Sequence, residues 1–466
     1  MFVDRQEELA QMNRLYHSTR AELFVLYGRR RVGKTELLRA FCAEKPHLFF
    51  IATLSSDTEQ LAAFSQHVWR FTHGETLEGF TFPTWEDAFR SLAILPGRSV
   101  IVLDEFTYLI SGNKAIPSVL QKVWDETLKD ANLLLVLCGS YIGMMENEVL
   151  GYQAPLYGRR TGSLLLRPFG LAALARFFPG ASAEERLRTW GVLGGMPYYL
   201  KVFSEQHDLF DNIQEHILNR QGILYNEPRL LLMEELREPR NYFSILRAIA
   251  QGHTRLNEIA QSSGVGPVSS TARYLDILQQ LHLITRRTPV TESQPEKSKK
   301  GIYCIDDHFL RFWFRYVHPN LGSLDIGLDE AVLTQKIQPD FDSFLGSTFE
   351  EASRVYTAGL ARSGRLSFLP ERIGGWWDRD VEIDVAALSE SERCLLLGEC
   401  KWSHHLVGLN VLEDLQRKGR LMMAGYPGWQ VAYILFARAG FTPELETRAA
   451  QEGIRLVSIQ DDGFWK

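Results

Sequence analysis

The sequence predicts an α/β protein in three parts, and three observations carry that prediction. Across residues 1 to about 165, short apolar runs (LFVLYG, HLFFIA, SVIVLDEF, LLLVLCGS) alternate with helical patterns, the βαβα order of a parallel sheet covered on both faces. Between Asn241 and Ile284, three helical segments run past a break at SSGVGP, and a polar, Lys-rich stretch then leads into the apolar strand IYCI. From about residue 335, a helix, strands at 381–388 and 394–402, another helix and the strand VAYILFA make a second α/β region. The expected divisions are 1–235, 236–334 and 335–466, with a helical lid from about 166 to 235 interrupted by Gly191, Gly194, Gly195 and Pro197.

Within the first part, GRRRVGKT fits the G-x-x-x-x-G-K-[ST] spacing and lies between the strand LFVLY and the helical run TELLRAF. That spacing wraps backbone N–H groups around phosphates, so Gly28, Arg29, Arg30, Arg31, Val32, Gly33, Lys34 and Thr35 are expected ATP contacts. Lys34 supplies the compensating charge, and Thr35, opening the helix, brings a hydroxyl to Mg²⁺. In SVIVLDEF, Asp104 at the strand end is the expected second Mg²⁺ contact and Glu105 the group that polarises the attacking water. Ser140, ending LLLVLCGS, is placed to sense the γ-phosphate. Arg159 and Arg160 in LYGRRTG stabilise transition-state charge in cis or from a neighbouring subunit, or are plain surface residues.

FVDRQEEL, GRRRVGKT, VLDEF, the CGS strand end, LYGRRTG and GGMPYYL together resemble the archaeal-type P-loop ATPase family, close to the STAND class of signalling NTPases, over roughly the first 230 residues. The resemblance implies that Val3, Asp4 and Arg5 lie by the adenine, and that Gly195 and Pro197 belong to a motif tied to the helical region that reports nucleotide state. It also implies an ATP-driven switch and a homo-oligomer formed through the ATPase part.

The middle part has the order of a winged helix. In RLNEIAQSSGVGPVSSTARYLDILQQLHLI the second helix carries an apolar stripe of Tyr274, Leu278 and Leu281 and exposes Ser269, Ser270 and Arg273. With Arg286, Arg287, Lys297, Lys299 and Lys300, these are the candidate nucleic-acid contacts; the competing reading is a solvated or protein-facing surface. TESQPEKSKK is too polar to pack and is expected to be a mobile wing tip.

In the third part, VEIDVAAL carries Asp384 and CLLLGECKW carries Glu399 and Lys401, which share one strand face because side chains alternate. Two carboxylates on neighbouring strands suit Mg²⁺ or Mn²⁺, and a lysine beside them suits a scissile phosphate or attacking water. The upstream helix adds Glu350. The Asp-x14-Glu-x-Lys spacing resembles the PD-(D/E)XK nuclease superfamily, without its proline; more closely, FLGSTFEEA, EIDVAAL and LLLGECKW resemble the DUF234 domain. The resemblance implies a further polar position at Lys418 or Gln416.

A net charge of -6 excludes a protein whose whole surface wraps nucleic acid and confines any such site to a local patch. The five cysteines are scattered and lack CxxC spacing, so neither a disulfide framework nor a zinc site is expected. No apolar stretch approaches the ~20 residues of a membrane span, and the expected compartment is the cytoplasm. The expectation that unites these features is an ATP-hydrolysing switch that gates a metal-dependent nuclease-like domain acting on DNA. The alternative is a STAND-like signalling ATPase whose C-terminal domain binds a partner without cleaving it; a weaker third reading is a DNA-remodelling motor.

Overall fold

β1 (Glu22–Tyr27), β2 (His47–Ile51), β3 (Ser99–Asp104), β4 (Leu133–Gly139) and β5 (Gly162–Leu165) form one sheet in the order β2-β3-β4-β1-β5, every pairing parallel. The computed structural model describes residues 3–236, 238–461 and 464. β3 and β4 are buried at every position, the unalternating pattern of strands covered on both faces. Helix Gln6–Tyr16 precedes β1, and helices Lys34–Cys42, Asp57–His73 and Ile116–Glu126 lie in the connections β1–β2, β2–β3 and β3–β4. Asp57–His73 starts on a capping box in which the Ser56 side chain accepts from the Glu59 amide and Glu59 accepts from the Ser56 amide. Its Phe64 then packs with Phe50, Trp85 and Phe89 under β2 and β3.

Because every strand is parallel, the C-terminal ends of β1, β3 and β4 open on one edge. Gly28, Glu105 and Ser140 follow those strands directly. β5 carries only four residues, half-exposed at the sheet edge, which is too short and too mixed to read as a strand from the sequence.

The chain divides into two compact units: residues up to Pro168 together with Met196–Tyr198, and Phe169–Gly195 together with residues from Tyr199 onward. In the second unit, helices Pro239–Ala250, Leu256–Ser263 and Val268–Gln280 precede the antiparallel pair β6 (Ile284–Arg287) and β7 (Ile302–Ile305). Val268–Gln280 buries Thr271, Leu275 and Leu278, and Tyr274 is half-buried with its hydroxyl accepting from Asn241. Leu278 and, just beyond the helix, Leu281 are buried as in the Tyr274, Leu278, Leu281 reading, but Leu275 takes the inner position read for Tyr274.

β8 (Arg372–Asp378), β9 (Val381–Ser389), β10 (Cys394–Lys401), β11 (Gln430–Ala437) and β12 (Arg455–Ser458) form a second sheet in sequential order. β8-β9 and β9-β10 are antiparallel; β10-β11 and β11-β12 are parallel, with helices Leu409–Met423 and Pro443–Glu452 as the crossovers. A parallel neighbour requires a crossover of this kind, which explains the switch from hairpins to helices along the chain. The 22-residue helix Phe341–Arg362 packs against β8, β9 and β10.

The stretch TESQPEKSKK between β6 and β7 is anchored on β8. The Val290 amide donates to the Gly375 carbonyl, Arg372 donates to the Glu292 carbonyl, and the Trp377 indole donates to the Lys300 carbonyl. Lys300 also pairs with Asp378 at 3.1 Å. Polarity did not keep the segment off the fold, because its backbone carbonyls serve as acceptors.

Candidate functional site

The loop between β1 and helix Lys34–Cys42 is built by backbone approach. A Cβ on Gly28 would lie 2.5 Å from the Leu166 carbonyl oxygen, so only glycine fits where the chain returns beside β5. Lys34 is buried and its Nζ donates to the Gly28 and Arg29 carbonyls at 2.9 and 3.0 Å, holding the charge inside the loop. The Thr35 hydroxyl donates to Asp104 Oδ2 at 2.8 Å. A hydroxyl and a buried carboxylate from two separate elements therefore meet at the helix start, the donor set that suits an octahedral Mg²⁺ retaining its waters. That ion would supply charge neutralisation for the phosphates.

Glu105 adopts a left-handed backbone (φ 52°), an uncommon state for a non-glycine residue and a mark of a constrained site. Ser140 Oγ donates to its Oε1 at 2.7 Å, while its buried Oε2 makes no hydrogen bond among the described residues. β3 and β4 thus bring Asp104, Glu105 and Ser140 together beside the loop.

Arg5 also reaches the loop: its guanidinium donates to the Val32 carbonyl at 3.2 Å and the Arg167 carbonyl at 2.8 Å. Asp4 and Arg5 both take positive φ, bending the N-terminal segment at this point. Val3 precedes them, half-buried. Pro197 Cγ lies 3.8 Å from the position a Cβ on Gly33 would occupy, and Arg31 stacks 4.7 Å from the Tyr198 ring centroid. The preceding Gly195 is fixed by contact, since a Cβ there would come within 1.7 Å of the Phe169 carbonyl oxygen.

Arg159 stands apart from this constellation. It forms a two-pronged pair with Asp125 at 3.2 and 3.0 Å, and the neighbouring Thr161 amide bonds the Leu23 carbonyl near the start of β1, the end of the strand away from the loop. In its own chain it is therefore held off the phosphate edge. Arg160 donates to the Leu150 carbonyl at 3.1 Å and lies 5.9 Å from the Tyr157 ring centroid.

The C-terminal sheet builds a second constellation. Asp384 on β9 accepts from the Cys400 amide of β10 at 2.8 Å. Glu399 on β10 is buried and accepts from Lys401 at 2.8 Å and from Lys418, on the following helix, at 3.0 Å to each oxygen. Gln416 turns instead to Glu452, so Lys418 is the helix residue that meets the cluster. Glu350 lies 3.5 Å from Arg354, whose guanidinium donates to the Asp384 carbonyl at 2.7 Å. Burial, then the charges of Glu399 and Glu350, push the Asp384 carboxyl up to about 7. Burial likewise raises Glu350. Among the described residues no three His, Cys, Asp or Glu side chains are grouped as a preformed metal cage.

The raised Asp384 has a direct stability consequence. Below about pH 4 its carboxyl is protonated in both folded and unfolded chains; between about 4 and 7 the unfolded chain loses its proton first. Stability is therefore expected to fall across that interval, by at most ~4 kcal/mol, and to level off above it. Asp384→Asn should flatten this slope and raise the melting temperature at pH 8. Thermal unfolding at a series of pH values tests it, and a variant that keeps the wild-type slope would remove the assignment.

The candidate nucleic-acid residues differ in their exposure and in their partners. Arg273 is exposed on Val268–Gln280, and Lys297 and Lys299 are exposed on the inter-strand segment. Arg286 instead donates to the Pro295 and Ser298 carbonyls, Arg287 faces Glu351 at 3.8 Å, and Lys300 pairs with Asp378. Sequence reading missed Tyr108 and Tyr141, which flank Arg30; tyrosines following an acidic strand end and a Ser-ended strand were the available signal.

A five-stranded parallel sheet, a Gly-rich loop with an internally held lysine, and a Thr35–Asp104 pair beside Glu105 define a P-loop ATPase. Residues 2–203 match the model of an ATPase domain predominantly from Archaea, and residues 313–414 match that of archaeal and bacterial proteins of unknown function. An uncharacterized protein of Methanocaldococcus jannaschii, MJECL04, is 35% identical over 424 residues, covering 91% of this chain and 92% of that protein. The chain belongs to this family of archaeal ATPases that carry a C-terminal domain of unknown function. Among solved structures, the Walker-type ATPase PABY2304 of Pyrococcus abyssi is similar at 25% identity, covering 67% of this chain and 96% of that one with a TM-score of 0.48. The Orc1 protein of Aeropyrum pernix, solved in complex with DNA, is similar at 15% identity, covering 70% and 95%, with a TM-score of 0.31. Among the described residues no helix is long and apolar enough to cross a membrane.

Proposed function

We propose that this ATPase is a nucleotide-controlled switch that gates a metal-dependent, nuclease-like C-terminal domain acting on DNA. The observation that carries the proposal is the meeting of Glu350, Asp384, Glu399, Lys401 and Lys418 on one sheet and its flanking helices, with Asp384 and Glu350 both pushed toward protonation. Buried carboxylates that repel one another are relieved by a divalent cation, and this reading puts Mg²⁺ or Mn²⁺ between Asp384 and Glu399. Lys401 then holds the attacking water or the scissile phosphate, because an ammonium group donates and cannot ligate. The chain is divided on this reading into an ATPase part (1–235), a winged-helix part (236–334) and a PD-(D/E)XK-like part (335–466), with assembly through the ATPase part in the cytoplasm.

A chain of contacts inside the second unit supports gating. Arg438, stacked 4.7 Å from the Trp402 ring centroid, pairs with Glu184 at 2.6 Å and Asp342 at 3.1 Å. Trp402 follows Lys401, and Glu184 opens helix Ala183–Leu193, whose chain continues into Met196–Tyr198 of the ATPase unit. Plasmid nicking by the full chain with Mn²⁺ tests the proposal: activity lost in Glu399→Ala supports it, and wild-type protein that leaves supercoiled DNA intact with and without ATP contradicts it.

The second reading, a signalling switch whose C-terminal domain only binds a partner, is favoured by the internal pairing of Arg286, Arg287 and Lys300. DNA contact by the inter-strand segment then rests on Lys297 and Lys299. Replacing both with alanine should make the salt dependence of DNA binding shallower by nearly two in log–log slope, each phosphate contact contributing about 0.9. Lys300→Ala should leave the slope unchanged. A slope equal to wild type in the Lys297, Lys299 double variant would remove this segment from the interface.

A further inference from the structure

Of the three arginines inside the phosphate loop, one lies with the hydrolytic residues. Arg29 is buried and Arg31 stacks on Tyr198. Arg30 is half-buried: its guanidinium lies 6.0 Å from the Tyr108 ring centroid and 5.4 Å from that of Tyr141, and it donates to the Tyr108 hydroxyl. Tyr108 is one helical turn beyond Glu105, its amide bonding the Glu105 carbonyl at 2.8 Å. Tyr141 directly follows Ser140, whose hydroxyl bonds Glu105. The two rings that hold Arg30 thus extend from the same two strand ends that hold the water-polarising carboxylate. The aromatic faces restrict the rotamers of the guanidinium, which lowers the entropic cost of aiming it.

We propose that Arg30 is a further catalytic residue of the ATPase, acting in cis on the γ-phosphate. In hydrolysis the water oxygen bonds to Pγ, its proton passes toward Glu105, and the bond from Pγ to the bridging oxygen breaks, leaving that electron pair on ADP. Negative charge grows on the bridging and γ oxygens during this step, and a planar cation fixed beside the loop stabilises it. The inference rests on the ATPase assignment alone and is independent of the C-terminal reading. Arg159, occupied by Asp125, does not compete for the role in its own chain.

Steady-state hydrolysis combined with binding of ADP plus aluminium fluoride, a mimic of the γ-phosphoryl group in transit, tests the proposal. Arg30→Ala should lower kcat by on the order of 10³-fold while ATP and ADP affinities stay within about threefold, and should lose the tight ADP–aluminium fluoride complex. Arg30→Lys, which keeps the stem and charge, should still lose at least about tenfold in kcat, because an ammonium group lacks the planar fork. Wild-type kcat in Arg30→Lys together with an intact ADP–aluminium fluoride complex would overturn the proposal. So would an Arg30→Ala protein whose ADP affinity falls as far as its affinity for ADP–aluminium fluoride, since that pattern belongs to a structural latch between Tyr108 and Tyr141.

Discussion

Lys34→Ala is expected to weaken ATP binding by at least about 30-fold, because removing one partner of a buried charge interaction costs roughly 2–5 kcal/mol. The ammonium group bonds the Gly28 and Arg29 carbonyls, so it is held inside the loop. The variant also leaves two loop carbonyls without their donor, and a modest fall in melting temperature should accompany the lost affinity. Calorimetric titration with ATP checks the result; an affinity within threefold of wild type would remove Lys34 from the phosphate cradle.

Glu105→Gln is expected to reduce kcat by about 10²–10⁴-fold with ATP affinity preserved, the range that a positioned proton acceptor contributes. The substitution is close to isosteric, and glutamine retains an oxygen to accept the 2.7 Å bond from Ser140. Asp104 and its contact with Thr35 are untouched. The left-handed backbone at position 105 is tolerated equally by both side chains, so a folding defect is not expected. Single-turnover hydrolysis distinguishes the outcomes, and an unchanged chemical rate would assign the water-polarising role elsewhere.

The P-loop ATPase class was legible because its chemistry is tied to short sequence spacing: GRRRVGKT, LDE and CGS each end or follow a strand that is buried almost throughout. What the sequence concealed is set by partners distant in the chain. β5 and β12 have four residues each, too few for a period to register, and exist because a neighbouring strand receives them. The inner face of Val268–Gln280 includes Leu275 because the flanking helices and β6 select that side, a choice that a run of alternating polar and apolar residues leaves open. Arg286 and Lys300 read as candidate nucleic-acid contacts; Arg286 bonds carbonyls of its own hairpin connection, whereas Lys300 pairs with Asp378 on β8, a partner that local pattern could not bring near. The C-terminal cluster lies between these cases: alternation put Glu399 and Lys401 on one face of β10, whereas the approach of Asp384 depended on the antiparallel register that sets Val385 opposite Gly398.

Calorimetric titration of Mn²⁺ into the nucleotide-free full chain bears most directly on the claim that a metal-dependent site lies behind this ATPase. Wild type and Lys401→Ala are expected to bind one Mn²⁺ each at the C-terminal site, whereas Asp384→Ala and Glu399→Ala, folded by the same thermal criterion, are expected to lose that binding. Wild-type protein that takes up no Mn²⁺ at millimolar concentration, or an Asp384→Ala variant that binds as tightly as wild type, would contradict the account and leave the C-terminal domain as a partner-binding module.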